Sequence, residues 1–181
     1  MNNLLKVIKE KINPEIKTEL KLSNNLELPK IEKVVVSVGT GSQKIRQNAE
    51  ETIAKNLALI TGQKPSINIA KKSISGFKLR EGDKVGLSVT LRGKKMYDFL
   101  SRLINITIPR IRDFRGLPTK SFDENGNYTL GIKEHTVFAE IPYEEVEFVH
   151  GMQVNIQTTA KNNEEAKLLL AKIGFPFKKE K

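Results

Sequence analysis

The sequence predicts an α+β fold, a single domain spanning residues 1–181 in which an antiparallel β-sheet packs against helices on one face and leaves its opposite face polar. Three observations support this prediction. Segments that alternate like β-strands are interspersed with segments of helical period, an Asn-Gly pair marks a tight turn, and neither a linker nor an internal repeat divides the chain. A chain of 181 residues, 38% of them hydrophobic, is long enough to bury its own core.

The first part of the chain is expected to be helical and then to enter the sheet. Apolar residues at three- and four-residue spacing within residues 1–23 predict two short amphipathic helices, the second beginning at Asn13-Pro14. The segment IEKVVVSVG then has the β-branched density of a buried strand, which Gly39 and Gly41 end.

The middle of the chain combines a helix, two strands and a loop. Helical spacing runs from Asn48 to Thr61 and is expected to stop at Gly62. PSINIAK is predicted to be a short strand, and residues 71–83 a protruding basic loop. The next strand alternates between an apolar face and a polar face that carries Lys84, Gly86, Ser88, Thr90 and Arg92.

After this strand, helical period resumes from Lys94 to Ile104, and Pro109 is expected to block further extension of the helix. Residues 110–120 are predicted to form an irregular basic loop. Asn125-Gly126 in DENGNY predicts a tight hairpin turn between two strands.

The end of the chain is predicted to supply one more strand and one more helix. VNIQTTA alternates like a strand. The closing helix is expected to begin at about Asn162-Asn163, with Glu164 and Glu165 in its first turn, and to end at Gly174.

Composition excludes several classes of function. The chain has no cysteine, which rules out disulfides, thiolate catalysis and zinc sites that use sulfur, and which fits a cytoplasmic location. No apolar stretch approaches the roughly 18 residues that a bilayer requires, so neither secretion nor a membrane partner is expected. The net charge of +10 favours a polyanionic partner such as nucleic acid.

The charge is unevenly distributed along the chain. Residues 71–95 contain eight cationic side chains and two anionic ones. The resulting charge of +6 is more than half of the chain's net charge of +10. Residues 134–147 contain five glutamates and neither lysine nor arginine. A face that binds nucleic acid needs concentrated positive charge, because its cations must neutralise several neighbouring phosphates at once.

Small-molecule and metal chemistry receive little support. Gly39-Thr40-Gly41-Ser42 follows a strand but lacks the third glycine of a dinucleotide fingerprint, so a plain connection in which Ser42 caps the next helix is the favoured alternative. His135 and His150 have no metal-ligand spacing and no partners for a catalytic triad, and an ordinary surface or interface role is expected for both. We therefore expect no catalytic residue, no metal and no cofactor.

The basic loop is the segment that best suits RNA. It contains three kinds of group close together in the sequence. Its cations can bind phosphates, its hydroxyls can make directed hydrogen bonds, and Phe77 can contact a sugar or a base. A mobile solvated loop with Phe77 tucked into the core is the alternative. The polar face formed by Ser88, Thr90 and Arg92 is expected to reach ribose hydroxyls and base edges, or else to be simply hydrated.

Several long segments together resemble one family. They are PKIEKVVVSVG, LITGQKP, AKKSISGFKLREGDKVGLSVTLRG, MYDFLSRLINITIPRIRDFRG, SFDENGNYTLGIKE and TTAKNNEEAKLLLAKIGFPF. Their order and spacing are similar to those of the bacterial large-subunit ribosomal protein five family, which binds 5S rRNA. The resemblance covers nearly the whole chain and implies an antiparallel sheet with helices on one side, in a non-enzymatic protein of the cytoplasmic ribosome.

The resemblance also implies specific partners. It implies that the sheet face helps attach 5S rRNA in the central protuberance, among large-subunit rRNA and neighbouring proteins, through Ser37, Gln63, Thr90 and Arg92, to which the polar alternation adds Ser88. The family usually has Asn at the position of Ser37, and a hydroxyl cannot provide both the donor and the acceptor reach of an amide. The contact at Ser37 is therefore the weakest expectation of the set.

Two loops are expected to contact other partners. The basic loop resembles the family's finger toward P-site tRNA, with the contact residues Lys71, Lys72, Ser73, Ser75, Gly76, Phe77, Lys78 and Arg80. The loop 110–120 resembles the segment that bridges to the small-subunit head protein thirteen, and the bridge is assigned to Arg110, Arg112, Asp113, Arg115 and His135. That partner is basic, which offers a use for the acidic segment 134–147. An enzyme with a nucleotide at GTGS and a free RNA chaperone or translational regulator are the rival hypotheses.

Overall fold

The computed structural model describes residues 4–41, 49–77, 79–142 and 146–178, without the side chains of residues 9 and 49. The predicted cap at Ser42 lies outside these residues. Within them the chain forms one antiparallel sheet of five strands in the order β2-β3-β1-β5-β4. The strands are β1 Ile31–Gly39, β2 Ser66–Ile69, β3 Lys84–Leu91, β4 Tyr128–Ile132 and β5 Met152–Thr158.

The sheet has two chemically different faces because alternate residues point to opposite sides. In the central strand β1, Val34, Val36 and Val38 are buried, and the residues between them are partly exposed. Strands β3 and β5 continue the same pattern and align their valines, leucines and isoleucines with those of β1. The predicted α+β fold and the polar face of the sheet are confirmed.

Helices cover the apolar face. They are α1 Leu4–Val7, α2 Asn13–Glu19, α3 Ala49–Thr61, α4 Gly93–Arg102 and α5 Asn163–Ile173. The residues Ile16, Leu57, Leu100 and Leu170 come from four of these helices, and all four are completely buried in one continuous core. In the described residues, no helix is both long enough and apolar enough to span a bilayer.

Glycines end α3 and α5 as the sequence predicts. Gly62 and Gly174 have φ angles of +67° and +114°, the left-handed region that residues with a Cβ rarely adopt.

The two predicted N-terminal helices are present, and α2 begins at Asn13 as expected, but no break in the helical backbone separates it from α1. A π-helical turn, Ile8–Ile12, joins α1 to α2, and the N–H of Asn13 donates to the carbonyl of Ile8. Pro14 lacks an N–H, and in an unbroken α-helix its ring would clash with the carbonyl four residues earlier. The wider turn accommodates the proline without interrupting the helical path.

The same device extends the helix that Pro109 was expected to end. After α4 the chain forms a π-helical turn, Leu103–Thr107, and then a 3₁₀ turn, Ile108–Arg110, with the N–H of Ile108 donating to Leu103. Helical backbone therefore continues through Pro109 to Arg110. It delivers the chain directly into the basic loop 110–120.

The turn at Asn125-Gly126 is present, but only one true strand flanks it. The Asp123 carboxylate accepts the N–H groups of Asn125 at 2.9 Å and Asn127 at 2.7 Å, which closes the turn. Before the turn the chain makes a 3₁₀ turn, Thr119–Ser121, and a single bridge from Phe122 to Tyr128. The expected leading strand is replaced by these irregular contacts.

Candidate nucleic-acid interface

The sheet face opposite the helices, called the outer face below, consists of polar rows that cross the strands. The strand register sets these rows. The end row comprises Gln157, Lys33 and Arg92, which lies one residue beyond the Val34–Leu91 pair; the next comprises Thr129, Asn155, Val35 and Thr90; the third comprises Gly131, Gln153, Ser37, Ser88 and Ser66. Cations stand at one end, and uncharged amides and hydroxyls fill the middle.

The structure brings together the five residues predicted to bind 5S rRNA. Ser37 and Ser88 are direct cross-strand partners, and Thr90 and Arg92 follow Ser88 on the same side of β3. Gln63 reaches them from the turn after α3, where its Nε2 donates to the backbone carbonyl of Thr90 at 3.4 Å. The five residues therefore form one surface although they come from three separate segments.

The outer face also contains polar residues that the sequence analysis missed. Asn155 accepts hydrogen bonds from Thr129 Oγ1 and Gln153 Nε2, each at 3.0 Å, and Asn68 accepts one from Ser88 Oγ at 3.2 Å. The signal was present in the sequence. Asn68 and Asn155 are polar positions that alternate with apolar ones in SINI and in VNIQTTA, and they can be identified once the neighbouring strands are known.

The cations at the two ends of strand β3 are held in exposed ion pairs, Lys84 with a glutamate of α3 and Arg92 with a glutamate of β1. Lys84 Nζ lies 2.7 Å from Glu50, and Arg92 Nη1 lies 3.8 Å from Glu32. The hydrogen bond to the Glu50 carboxylate, together with its charge, raises the pKa of Lys84 above its usual value. Exposed pairs contribute little stability, so both cations can exchange a carboxylate for a phosphate.

The basic loop 71–83 has internal order. A bridge joins Ile74 to Leu79, the hydroxyl of Ser73 accepts the N–H of Glu81 at 2.9 Å, and Asp83 accepts the N–H of Arg80 at 3.0 Å. Phe77 is 75% exposed, so the alternative that buries it in the core is wrong. Its predicted neighbour Lys78 lies outside the described residues, whereas Lys71, Lys72, Ser73, Ser75, Gly76 and Arg80 are all exposed.

The loop 110–120 presents its charged residues to solvent. Arg110, Arg112, Asp113 and Arg115 are exposed, and the loop is fastened by the Leu117 N–H, which donates to Pro176 at 2.8 Å. Arg112 and Glu134 line the same groove beside β4. The acidic segment therefore begins next to the basic loop.

His135 does not share this exposure, and its assignment as a direct bridge contact is corrected. Its side chain is completely buried, and its ring stacks on that of His150 with centroids 3.9 Å apart. The expected surface role of both histidines is wrong, because each ring is enclosed by the core. His135 can act on the bridge segment only by supporting it from within.

The remaining acidic residues serve partly structural roles. Glu140 pairs with Arg102, whose guanidinium also donates to the carbonyl of Ile60. Glu147 accepts a hydrogen bond from Thr52 at 3.1 Å. Glu144 and Glu145 lie outside the described residues.

Within the GTGS segment, Thr40 continues the hydrogen bonding of the sheet, whereas Ser42 lies outside the described residues. The N–H of Thr40 donates to Val85 at 3.1 Å, and its side chain is buried. The hydroxyl of Thr40 is therefore enclosed by the fold and is not presented to a nucleotide. Among the residues whose placement is given, no three histidines or carboxylates gather as metal ligands would.

Comparisons with known proteins point in one direction. The family model described as ribosomal protein L5 matches residues 24–80, and the model of the ribosomal L5P family C-terminus matches residues 84–177. The large ribosomal subunit protein uL5 of Dichelobacter nodosus is 47% identical over 178 residues, which cover 98% of this chain and 99% of that protein. The uL5 proteins of Syntrophomonas wolfei and Natranaerobius thermophilus are 47% and 48% identical, each covering 98% of this chain and 100% and 99% of the relative.

Proposed function

Since the chain belongs to the ribosomal protein L5 family and is a structural, non-enzymatic part of the large ribosomal subunit in translation, we propose that the outer face of its sheet binds 5S rRNA. In bacteria the ribosome is cytoplasmic, which agrees with the location expected from the sequence. The observation that carries the proposal is the convergence of Ser37, Gln63, Ser88, Thr90 and Arg92 on one polar surface.

The division of the outer face suits a folded RNA. The cationic end row, with Lys33 and Arg92, neutralises phosphates and releases counterions. The hydroxyl and amide rows supply directed hydrogen bonds at a distance of two residues along each strand, about 7 Å. Because these groups are uncharged, they select geometry, and the cations supply most of the affinity.

We propose that the basic loop 71–83 contacts P-site tRNA. Its internal hydrogen bonds hold the tip in one conformation, so little ordering entropy is lost on binding. The exposed Phe77 ring supplies a surface for stacking on a base or sugar, and Lys71, Lys72 and Arg80 surround the RNA backbone. In the part of the chain that the structure describes, these three cations make no ion pair.

We further propose that the loop 110–120 bridges to the small-subunit head protein thirteen. Arg110, Arg112, Asp113 and Arg115 project from a loop whose two ends are fastened by backbone hydrogen bonds. Glu134 lines the groove together with Lys133, Arg112 and Asp113, so a partner that enters it meets charges of both signs. Mixed charge of this kind fixes register between partners more than it adds affinity.

A filter-binding titration with 5S rRNA tests the central proposal. The parent protein is compared with the variants Gln63→Ala and Thr90→Ala, and with Asn105→Ala as a matched control on the helical side. Each site variant is expected to bind about threefold to tenfold more weakly, the loss of one hydrogen bond, while the control binds like the parent. Equal affinities for all four proteins would contradict the assignment of this face.

A further inference from the structure

One carboxamide on the outer face is locked in a single orientation. The Oδ1 atom of Asn155 accepts two hydrogen bonds, from Thr129 Oγ1 on the neighbouring strand and from Gln153 Nε2 two residues earlier. A carbonyl oxygen has two lone pairs, and both are used. The Nδ2 amino group must therefore carry whatever interaction Asn155 makes with a partner.

The same hydrogen bond fixes what Thr129 offers. Its hydroxyl proton is donated to Asn155, so its oxygen lone pairs are what it presents to a partner. Thr129 is exposed and Asn155 is partly exposed, so both groups are accessible from solvent. An outward donor and an outward acceptor thus lie side by side, on residues joined by a 3.0 Å hydrogen bond.

A second pair, on the β2–β3 side of the same face, is similar but less constrained. Ser88 Oγ donates to Asn68 Oδ1 at 3.2 Å, so the Ser88 oxygen is left as an acceptor beside the Asn68 amino group. Among the described residues Asn68 Oδ1 accepts this one hydrogen bond, so it retains a second lone pair. The nearest members of the two pairs, Asn155 on β5 and Ser88 on β3, are two strand spacings, about 10 Å, apart across the sheet. The outer face therefore presents a unit of an outward donor and an outward acceptor at two places, which are too far apart to hold one small group together.

A ribose 2′-hydroxyl matches this unit, because it accepts one hydrogen bond and donates another through a single oxygen atom. A phosphate oxygen only accepts, and would leave Thr129 or Ser88 without a donor. A deoxyribose offers neither group. We propose that Asn155 with Thr129, and Asn68 with Ser88, are two ribose-recognition sites that distinguish RNA from DNA on the outer face.

This inference rests on the proposed binding of 5S rRNA, and it names the chemical group that the β4–β5 side of the face recognises. Interference mapping tests it. 5S rRNA that carries scattered 2′-deoxy substitutions is bound to the protein, and the substitutions depleted from the bound fraction are read out. The proteins used are the parent, Asn155→Ala, Thr129→Val, Thr129→Ser and the control Asn105→Ala.

With the parent, deoxy substitution is expected to weaken binding at a small number of nucleotides by about threefold to tenfold each. At one of them the effect should disappear in Asn155→Ala and in Thr129→Val, and it should persist in Thr129→Ser and Asn105→Ala. Thr129→Val retains the β-branched shape of the strand residue, so it decides the outcome alone if Asn155→Ala does not fold.

The outcomes distinguish a failure of the ribose sites from a failure of the proposed binding of 5S rRNA. A parent that binds 5S rRNA but shows no deoxy interference, or the same interference in all five proteins, overturns the ribose sites and leaves the proposed function standing. A parent that does not bind 5S rRNA even in dilute buffer overturns the proposed function, and the ribose sites with it.

Discussion

His135 and His150 stack face to face in the core, with ring centroids 3.9 Å apart and planes 7° from parallel. The N–H of His150 donates to His135 Nδ1 at 3.2 Å, and His150 Nδ1 faces the Gly151 carbonyl at 3.3 Å. Within the described residues, neither Nε2 atom has a hydrogen-bond partner. The pair is therefore stable only while both rings are uncharged.

Acid should destabilise the fold through this pair. Burial lowers the pKa of His135, and burial together with the neighbouring His135 lowers the pKa of His150 from 6.5 to about 4. As the pH falls, the histidines of the unfolded chain are protonated at a higher pH than those of the folded chain. The contribution of the pair to the free energy of unfolding is therefore complete above pH 6.5 and decreases as the pH falls toward 4. Urea unfolding should show a free energy about 2 kcal/mol lower at pH 5 than at pH 7.5.

The matched variant is His150→Phe, which keeps an aromatic ring but cannot be protonated. It should lose most of the difference between the two pH values. If it keeps the full difference, other groups are responsible for the acid sensitivity.

The salt dependence of 5S rRNA binding should distinguish the rows of the outer face. The logarithm of the association constant is expected to fall with the logarithm of salt concentration, and Arg92→Ala should reduce that slope by about 0.7 to 0.9, because one phosphate contact is lost. Thr90→Ala should lower affinity at every salt concentration without changing the slope. Filter binding from low to moderate salt measures both, and equal slopes for Arg92→Ala and the parent would remove Arg92 from the contact.

Phe77→Ala should separate binding from stability. The ring is 75% exposed, so its removal should change the free energy of unfolding by no more than about 0.5 kcal/mol. Dissociation of P-site tRNA from ribosomes that contain the variant should be faster, because a stacking surface is missing. Phe99→Ala, which empties the core, should instead cost about 3–5 kcal/mol in urea unfolding. Unchanged tRNA dissociation with Phe77→Ala would argue against contact at the loop tip.

Tyr128→Phe should loosen the start of the turn region. The buried phenol donates to the Pro118 carbonyl at 3.0 Å, and burial raises its pKa to about 12. Removing the hydroxyl leaves that carbonyl without this donor and should cost about 1 kcal/mol. Hydrogen exchange at Leu117 should become faster. Tyr97→Phe on α4 is the control, and equal exchange in both variants would show that the hydroxyl does not hold the loop.

Charge reversal at Glu134 tests the bridge. Glu134→Lys should weaken the joining of subunits at low salt, because a basic partner would meet an added cation beside Arg112. The effect should fade as salt screens the charges. Glu124→Lys, at the exposed turn, is the control, and sedimentation of reassembled ribosomes is the measurement. Joining that is insensitive to Glu134→Lys would contradict the proposed use of the acidic segment.

Most of the fold could be predicted from the spacing of apolar residues and from the glycines and prolines that end helices and strands. The valines of β1 and the glycines after α3 and α5 determine strand and helix ends locally, so these predictions are confirmed. The two π-helical turns were missed because periodicity assumes a constant turn, and a proline signals a break whether or not the chain bends around it. The irregular start of the Asn125-Gly126 turn was missed because Asp123 competes for the backbone donors that a strand would need.

Only the β3 side of the candidate site was predictable from the sequence. Alternation in β3 identified Ser88, Thr90 and Arg92, but Asn155 and Thr129 meet only through the order β1-β5-β4, which no local pattern specifies. His135 was misplaced for a related reason. Its burial depends on contact with His150, fifteen residues away along the chain, and a lone polar residue in a sequence does not reveal such a partner.

The π-helical turn at Leu103–Thr107 accommodates one residue more than an α-helical turn does. If the same residues formed an unbroken α-helix, every following side chain would be displaced by one position, about 100° around the axis. Ile108 would then no longer face the core, and Arg110 would no longer face solvent. The direction in which the basic loop 110–120 leaves the fold therefore depends on a turn that contains none of its charged residues.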